Sequence, residues 1–522
     1  MSLATIIDCK NILDLSIKST PNIILSTLNA RYIHSAFGLR YLYANLGELQ
    51  AQTTLLEFTI HERPTDILEK LLLLQPKVIG LSVYIWNITE ITELVELIKQ
   101  ISPTTFVVLG GPEVSHLPDK PAVVDYADYI IQGAGEKSFY DLCTQLLANR
   151  KPLNKVINGE ALPLDQLELP YTFYNDEDIR NRLIYVEASR GCPFKCEFCL
   201  SSLDKTSKPF ELGAFLNEMD KLIQRGARNF KFIDRTFNLK VASSVTILEF
   251  FLERMADDLY LHFEVIPDNL PDKLKAVLAR FPKDSLQFEI GVQTFDPKIQ
   301  TLISRKQDNQ KTKDNIRWLR EHTGAHLHTD LIFGLPSDTL KNFAESFDQL
   351  TALNPQEIQM GILKRLRGAP INRHSEEYQM NYSQTPPYTV LSTRDISFME
   401  LQQVQRFARY WDMIANSGRF KHTLALVLGS YKNNDSAFQR FMQLSDSLYK
   451  EAGSTWKIAL PRLYRLLYQS LLSDFRMTDE SVKAALLKDF DLSGQRGTLD
   501  LLLNKQKKTR TGMANKRQQQ HH

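Results

Sequence analysis

The sequence predicts an α/β protein: a doubly wound parallel sheet, then a partial barrel of six βα units, then a helical C-terminal domain. Three observations predict it. Short apolar runs alternate with helical patterns over residues 21–150, six more runs do so between 183 and 362, and beyond about 380 the apolar positions recur at helical spacing. A chain of 522 residues is too long for one ordinary core, so several domains are expected.

In the first region the apolar runs are Asn22 to Leu28, Val78 to Val83, Phe106 to Leu109 and Tyr129 to Ile131. Open parallel sheets place ligands at the carboxyl ends of their strands, so the turns after these runs are where chemistry is expected. From 151 to 180 the closely spaced Pro152, Pro163 and Pro170 prevent a long helix and suggest a linker that packs against both neighbours. The second series runs Leu183 to Ala188, Asn229 to Ile233, His262 to Ile266, Leu286 to Val292, His326 to Phe333 and Glu357 to Ile362, with helices such as Glu211 to Arg225 and Lys311 to His322 between. Six such units fit a partial barrel better than another flat sheet. In the last region Phe398, Leu401, Val404, Phe407, Trp411 and Ile414 make one apolar stripe, read as core, and Leu460 to Leu472 is a further helix. The expected divisions are an N-terminal extension at 1–20, the first sheet at 21–150, the linker at 151–180, the barrel at 181–378, the helical domain at 379–504 and a tail at 505–522.

Apolar residues at 43% and charged residues at 24% describe a folded chain. The tail carries Lys505, Lys507, Lys508, Arg510, Lys516 and Arg517, and removing these six from a net charge of +2 leaves −4. A slightly acidic body argues against nucleic acid as a partner, and the tail reads as a solvated, disordered extension. No apolar run approaches the length of a membrane span, and Asp8 and Asp14 sit where a signal sequence would be apolar, so a cytoplasmic protein without membrane attachment is expected.

Five cysteines in so long a chain are no disulfide framework, and three fall within eight residues, which suggests metal. The segment Glu187-Ala-Ser-Arg-Gly-Cys192-Pro-Phe-Lys-Cys196-Glu-Phe-Cys199 leaves a strand and turns into a Cys-x3-Cys-x2-Cys loop. Structural zinc wants four ligands, and neither Cys9 nor Cys143 lies near enough in sequence to be the fourth; both are read as ordinary thiols. A cubane cluster can use three thiolates and leave one iron open to a small molecule. The terminal His521-His522 pair is read as mobile rather than metal-binding.

This spacing, with aromatic Phe198 before the third cysteine, resembles the hallmark of radical S-adenosylmethionine enzymes. The resemblance implies a 4Fe-4S cluster on Cys192, Cys196 and Cys199, with S-adenosylmethionine on the open iron. It also implies one-electron cleavage to methionine and a 5'-deoxyadenosyl radical, and a reductant such as flavodoxin or ferredoxin. The segments Phe263-Glu264-Val265, Gly291-Val292-Gln293-Thr-Phe and Asp330-Leu-Ile-Phe-Gly334-Leu-Pro336 are similar to those of oxygen-independent coproporphyrinogen oxidase. By that similarity Glu264, Gln293, Arg305 and Asp330 would meet the ribose and methionine of the cofactor, with Arg305 on the carboxylate, and Phe198 beside it. The Gly-Gly-Glu stretch that many members carry after the second strand is missing, and Asp234 and Thr236 stand in its place.

Three turns stand out in the first region: Asn29-Ala-Arg31-Tyr-Ile-His34-Ser35, Gly110-Gly111-Pro112-Glu113 and Gly133-Ala-Gly135-Glu136. Small residues let a large planar ligand approach the backbone. Followed by the radical domain, the arrangement resembles cobalamin-dependent radical enzymes over residues 21 to 375, which implies a Rossmann-like cobalamin-binding domain ahead of a TIM-like barrel. Asn29, Arg31, His34, Ser82, Gly110, Gly111, Gly133 and Glu136 are the residues expected at cobalamin. The Asp-x-His-x-x-Gly motif that supplies a cobalt ligand in many such domains does not match around His34, which leaves the axial ligand open.

The expected function is radical chemistry on an unactivated carbon, with cobalamin delivering a methyl group or assisting rearrangement; substrate and substrate-side catalytic residues are unassigned. RNA modification and a non-catalytic iron-sulfur redox sensor are the alternatives. The first predicts salt-dependent tRNA binding through the tail, the second a cluster indifferent to S-adenosylmethionine.

Overall fold

The structure is a computed structural model and describes residues 21–429 and 436–493. The expected N-terminal extension with Cys9, and the basic tail with His521 and His522, lie outside the described residues. The chain divides into two compact units between Leu401 and Gln402.

The first unit opens with β1 (Ile23–Asn29), α1 (Phe37–Ala44), β2 (Thr53–Thr59), α2 (Pro64–Leu73), β3 (Val78–Ser82), α3 (Ile88–Ile101), β4 (Phe106–Gly110), α4 (Val123–Tyr126), β5 (Tyr129–Gln132), α5 (Glu136–Leu147) and β6 (Val156–Asn158). The strands form one parallel sheet in the order β2-β1-β3-β4-β5-β6. Every residue of β1 is buried: Ile24 and Leu28 pack with Ile79 and Leu81 on one face, Ile23 and Leu25 with Val78 and Val108 on the other. A strand covered on both faces reads as a continuous apolar run, which is why β1 and β3 are visible in the sequence. The order reverses between β1 and β3, so a crevice opens at the carboxyl ends there. Two strands are additions to the expected set. β2 is an edge strand whose run is broken by Glu57, and β6, inside the expected linker, is a three-residue edge with Val156 and Asn158 exposed.

After α6 (Asp176–Asn181) come β7 (Ile184–Val186), the short β8 (Ser189–Arg190) and β9 (Lys208–Pro209), which pair antiparallel around the cysteine loop, and α7 (Leu212–Gln224). Then follow β10 (Asn229–Phe232), α8 (Val241–Glu253), β11 (Tyr260–Val265), α9 (Asp272–Leu278), β12 (Leu286–Gln293), α10 (Pro297–Leu302), α11 (Asn309–His322), β13 (His326–Phe333), α12 (Leu340–Thr351) and β14 (Glu357–Ile362). The parallel order β14-β13-β12-β11-β10-β7 leaves β14 and β7 as edges, so the second sheet is an open, six-stranded partial barrel. Along β12 and β13 buried and half-buried residues alternate strictly. Leu286, Phe288, Ile290 and Val292 pack outward against helices, while Gln287, Glu289, Gly291 and Gln293 share the other face with Asp330.

Buried ion pairs fasten the two sheets together. Arg40 of α1, with no exposed surface, lies 2.6 Å from Glu57 and 2.7 Å from Asp178 of α6. Glu113, in the Gly-Gly-Pro-Glu turn, is 3.1 Å from Arg367 beyond β14 and accepts from the Tyr388 hydroxyl at 3.2 Å. Removing one partner of such a pair strands the other in a low-dielectric interior, at a cost of about 3–5 kcal/mol.

Beyond β14 a small hairpin, β15 (Asn381–Tyr382) and β16 (Val390–Ser392), appears where strands were expected to end; segments of two and three residues carry too little pattern to be read. Next is α13 (Phe398–Trp411), on which Leu401, Val404, Phe407 and Trp411 are buried as expected while Phe398, at the first turn, is half exposed. Ile414 is buried in a π-helical turn, Asp412–Asn416. The second unit continues with α14 (Lys421–Leu428), α15 (Ala437–Ala452), α16 (Leu460–Ser473) and α17 (Asp479–Leu492). Its core is aromatic: Phe407 stacks on Phe438 at 4.8 Å, and Trp411 meets Phe441 edge-on at 4.8 Å. The fully buried Asp489 of α17 accepts from the backbone amides of His422 and Thr423, which caps the start of α14 from a neighbouring helix. Among the described residues no helix is long and apolar enough to cross a membrane.

Candidate functional site

Two cavities lie at the carboxyl ends of the strands, one for each sheet. The smaller, about 320 Å³, is lined by Cys192, Cys196, Cys199, Phe194 and Phe198 from the cysteine loop and by Thr236, Glu264, Gln293, Arg305 and Asp330. Residues from four different strand ends thus meet at one place. The alternation of β12 and β13 does this: period two puts Glu289, Gly291 and Asp330 on the inner face. A bulge between Gly291 and Gln293 then breaks the register with β13, and Gln293, at φ +68°, folds its amide back over Gly291. A Cβ at Gly291 would lie 2.5 Å from that amide nitrogen, so a side chain there would have to displace the Gln293 amide.

The cysteines are held without a disulfide, two buried and Cys199 half-buried. Burial pushes the Cys192 and Cys196 thiols up, and for Cys196 the nearby Arg305 opposes the rise. Arg305 donates to the Gly291 carbonyl and to Gln307 Oε1, with its other terminal nitrogen 3.7 Å from Cys196 Sγ. Among the described residues no group of three ligating side chains closes on a single ion-sized point. All three thiols line the cavity, and a cubane cluster would take one iron to each of them. Two polar atoms in the same wall, Thr236 Oγ1 and Gln293 Oε1, are buried and have no hydrogen-bond partner. Such groups cost about 1–3 kcal/mol each when unpaired, and a polar ligand in the cavity would satisfy them. Burial raises both the Glu264 and Asp330 carboxyls; Arg235, 2.9 Å from Glu264, and His328, 3.2 Å from Asp330, pull them back down.

Asp234 is not in this cavity. It is buried behind the loop, accepting from Ala188 N at 2.9 Å and Ser189 Oγ at 2.6 Å, and burial lifts its carboxyl to about 7. Its neighbours Arg235 and Thr236 line the cavity instead.

The larger cavity, about 920 Å³, occupies the crevice of the first sheet. Asn29, His34, Ser82, Gly110, Gly111, Gly133 and Glu136 all line it, whereas Arg31 is exposed on the outer side of its turn and does not. Asn29 uses its amide internally, donating to Glu57 at 2.6 Å and to the His34 carbonyl at 3.0 Å. His34 Nδ1 is 2.8 Å from the Tyr185 hydroxyl, which ties the turn after β1 to β7. Gly111, at φ +104°, would put a Cβ 2.6 Å from the Val83 carbonyl, while a Cβ at Gly133 would stand in open space. Such a wall is a cradle of bare backbone that suits a bulky ring system. Tyr84 and Trp86, stacked at 4.3 Å, also line it.

Sequence reasoning missed Arg190, Ser201, Arg235 and Glu289. Arg235 and Ser201 line both cavities, so the two share a wall. The segment after Phe232 carried no period, and only the fold brings Arg235 to the junction.

Family models match three parts of the chain. Residues 24–142 match the B12 binding domain, 186–350 the radical SAM superfamily, and 376–522 a protein of unknown function (DUF4080). Among curated proteins, the cobalamin-dependent radical SAM methyltransferase TokK of Streptomyces tokunonensis is 24% identical over 341 residues, covering 58% of this chain and 48% of that protein. The 2-(S-pantetheinyl)-carbapenam-3-carboxylate methyltransferase of Streptantibioticus cattleyicolor is also 24% identical, over 57% and 48%. The chain spans about half the length of these two relatives. Among solved structures, the cobalamin-dependent S-adenosylmethionine radical enzyme OxsB superposes with a TM-score of 0.63 at 15% identity, covering 90% of this chain and 84% of that one. The radical S-adenosylmethionine methyltransferase TsrM of Kitasatospora setae gives 0.58 at 17%, covering 83% and 99%. At these identities the likeness is one of fold. The cofactors that go with the two matched domains are a 4Fe-4S cluster, S-adenosylmethionine and cobalamin, and the thiols, unpaired polar atoms and glycine cradle fit them. The chain therefore carries a B12 binding domain over residues 24–142 ahead of a radical SAM domain over residues 186–350.

Proposed function

We propose that this protein is a cobalamin-dependent radical S-adenosylmethionine methyltransferase acting on an unactivated carbon. The observation that carries the reading is the shared wall: the cavity with three cysteines and the cavity with the glycine cradle meet at Arg235 and Ser201. The named activities of the two curated relatives point the same way. When bound, the cofactors supply one-electron cleavage of S-adenosylmethionine and transfer of a methyl group.

On this reading Cys192, Cys196 and Cys199 hold the cluster, with Phe198 screening it. Glu264 and Asp330 accept from the ribose hydroxyls, and Thr236 and Gln293 offer the buried oxygens that lack partners. Arg305 pairs with the methionine carboxylate, giving up part of its bonding to Gly291 and Gln307. Asn29, His34, Ser82, Gly110, Gly111, Gly133 and Glu136 form the cobalamin cradle. A substrate enters at the junction, where Arg235, held by Glu264, orients it. A one-electron donor protein is required, and we place the enzyme in the reducing cytoplasm, where unpaired thiols persist.

Anaerobic reconstitution with iron, sulfide and hydroxocobalamin, followed by incubation with dithionite as reductant, methyl-deuterated S-adenosylmethionine and a metabolite extract, tests the reading. It predicts labelled methyl groups in extract molecules; 5'-deoxyadenosine without any label transfer would contradict methyl transfer.

A further inference from the structure

The loop that carries the three cysteines has two faces. The thiols, Phe194 and Phe198 line the smaller cavity, and Ser189, Arg190, Gly191 and Asp204 line the larger one. Arg190, two residues before Cys192, fastens the second face. Its guanidinium lies 2.8 Å from Glu136 and 2.8 Å from Glu187, and it sits 4.6 Å from the Tyr41 ring and 5.7 Å from the Phe210 ring. Glu136 begins α5 directly after the Gly133-Ala-Gly135 turn that walls the larger cavity.

The arrangement is held from several sides. Glu136 and Glu187 are nearly closed to solvent, so each depends on the guanidinium for its charge to be tolerated. Arg190 itself stays 32% exposed, toward the cavity it lines. A ligand that fills this cavity covers the same side chain that anchors the start of the cysteine loop. The backbone beyond leaves little slack: Gly191 is at φ +95°, where a Cβ would lie 2.4 Å from the Thr206 carbonyl. Cys192 N donates to the Asp204 carbonyl at 3.3 Å. Ordering of Arg190 is thereby ordering of the approach to Cys192.

We propose that the Glu136–Arg190–Glu187 bridge couples the two cavities, so that cobalamin in one and the assembled cluster in the other each favour the other's binding. This rests on the cofactor assignment above. Coupling between sites is reciprocal, so cobalamin affinity must change with cluster occupancy by the same factor as the converse. Arg190 acts here as a positioning residue. A lysine in its place keeps the charge but loses the two-pronged geometry and the stacking between Tyr41 and Phe210.

Equilibrium dialysis of hydroxocobalamin against the full chain, with its cluster reconstituted and after iron removal by a chelator, reads the coupling directly. The cluster-loaded protein is expected to bind cobalamin about fivefold tighter or more, within the usual range for coupled sites. In Arg190→Gln the ratio of the two affinities is expected to fall to about one, whatever the variant loses in affinity for each cofactor alone, and Arg190→Lys is expected to restore part of it. Glu136→Gln, which leaves Arg190 and Glu187 paired, is expected to lower the ratio as well. A ratio of one in the unaltered protein, or a full ratio in Arg190→Gln, would overturn the proposal while leaving the cofactor assignment standing. Absence of cobalamin uptake by either form would overturn both.

Discussion

Glu197 Oε2 lies 2.8 Å from His374 Nε2, and the same carboxylate accepts from Ser304 Oγ and Arg373. Glu197 stands inside the cysteine loop, is 3% exposed, and its backbone bonds to Ile303 and Ile371. The loop that would hold iron is thus pinned to the turn before Arg305 and to the segment after β14. Glu197→Ala is expected to cost about 3 kcal/mol, since it strands a buried partner, and to reduce the iron retained after reconstitution. Thermal melting and an iron-to-protein ratio check both; an unchanged ratio would mean the loop closes without this clamp.

Thr236→Val separates stability from binding. It replaces a buried, unpaired hydroxyl with a methyl group, so the melting temperature is expected to hold or rise, by up to about 1 kcal/mol of stability. S-adenosylmethionine affinity is expected to fall about threefold to tenfold, the worth of one hydrogen bond. Equilibrium dialysis beside a melting curve reads the two effects, which must run in opposite directions.

Gly111→Ala and Gly133→Ala form a contrasting pair. Both positions have positive φ, but only at Gly111 does a Cβ strike backbone, 2.6 Å from the Val83 carbonyl. Gly111→Ala is expected to lower the melting temperature clearly, and Gly133→Ala to cost about 1 kcal/mol or a little more in backbone strain alone. Cobalamin retained through gel filtration is expected to fall in both. Retention at the unaltered level in Gly133→Ala would place the ligand elsewhere.

The acid and alkaline limits of stability differ in origin. His328 sits between Glu357, 3.0 Å away, and Asp330. Burial opposes its charge, but the bonds to these carboxylates raise its pKa to about 10 from 6.5. Bonds from His326 and His328 bring Glu357 down to about 2 from 4.5, against burial. The raised histidine gives stability that is complete below pH 6.5 and lost as pH climbs toward 10. The lowered glutamate gives stability present above pH 4.5 and lost as pH falls toward 2. Melting temperatures of His328→Asn are therefore expected to decline less between pH 6.5 and 10 than those of the unaltered chain. Parallel slopes would contradict the assignment.

What could be read from the sequence was what local periodicity encodes. The alternation that buries Phe288 and Ile290 and turns Glu289 and Gly291 inward is the same one that made β12 legible, and the cysteine spacing needs only a short loop. Edge strands β2 and β6 were not legible: β2 is buried, but its run opens on Thr53 and Thr54 and is broken by Glu57, and β6 is three residues long with two exposed. Arg235 and Arg190 were not legible either. Their roles come from contacts with Glu264 and Glu136, 29 and 54 positions away, which the fold alone creates. Asp234 and Arg31 failed for the complementary reason: each sits beside an inward-facing position and points the other way.

The central claim is that Cys192, Cys196 and Cys199 hold a cluster whose open iron meets S-adenosylmethionine. Electron paramagnetic resonance of the anaerobically reconstituted, reduced protein tests it most directly, with and without S-adenosylmethionine and beside Cys196→Ala. The account predicts a cluster signal that the cofactor shifts and the variant lacks; a cluster signal that ignores S-adenosylmethionine would contradict it.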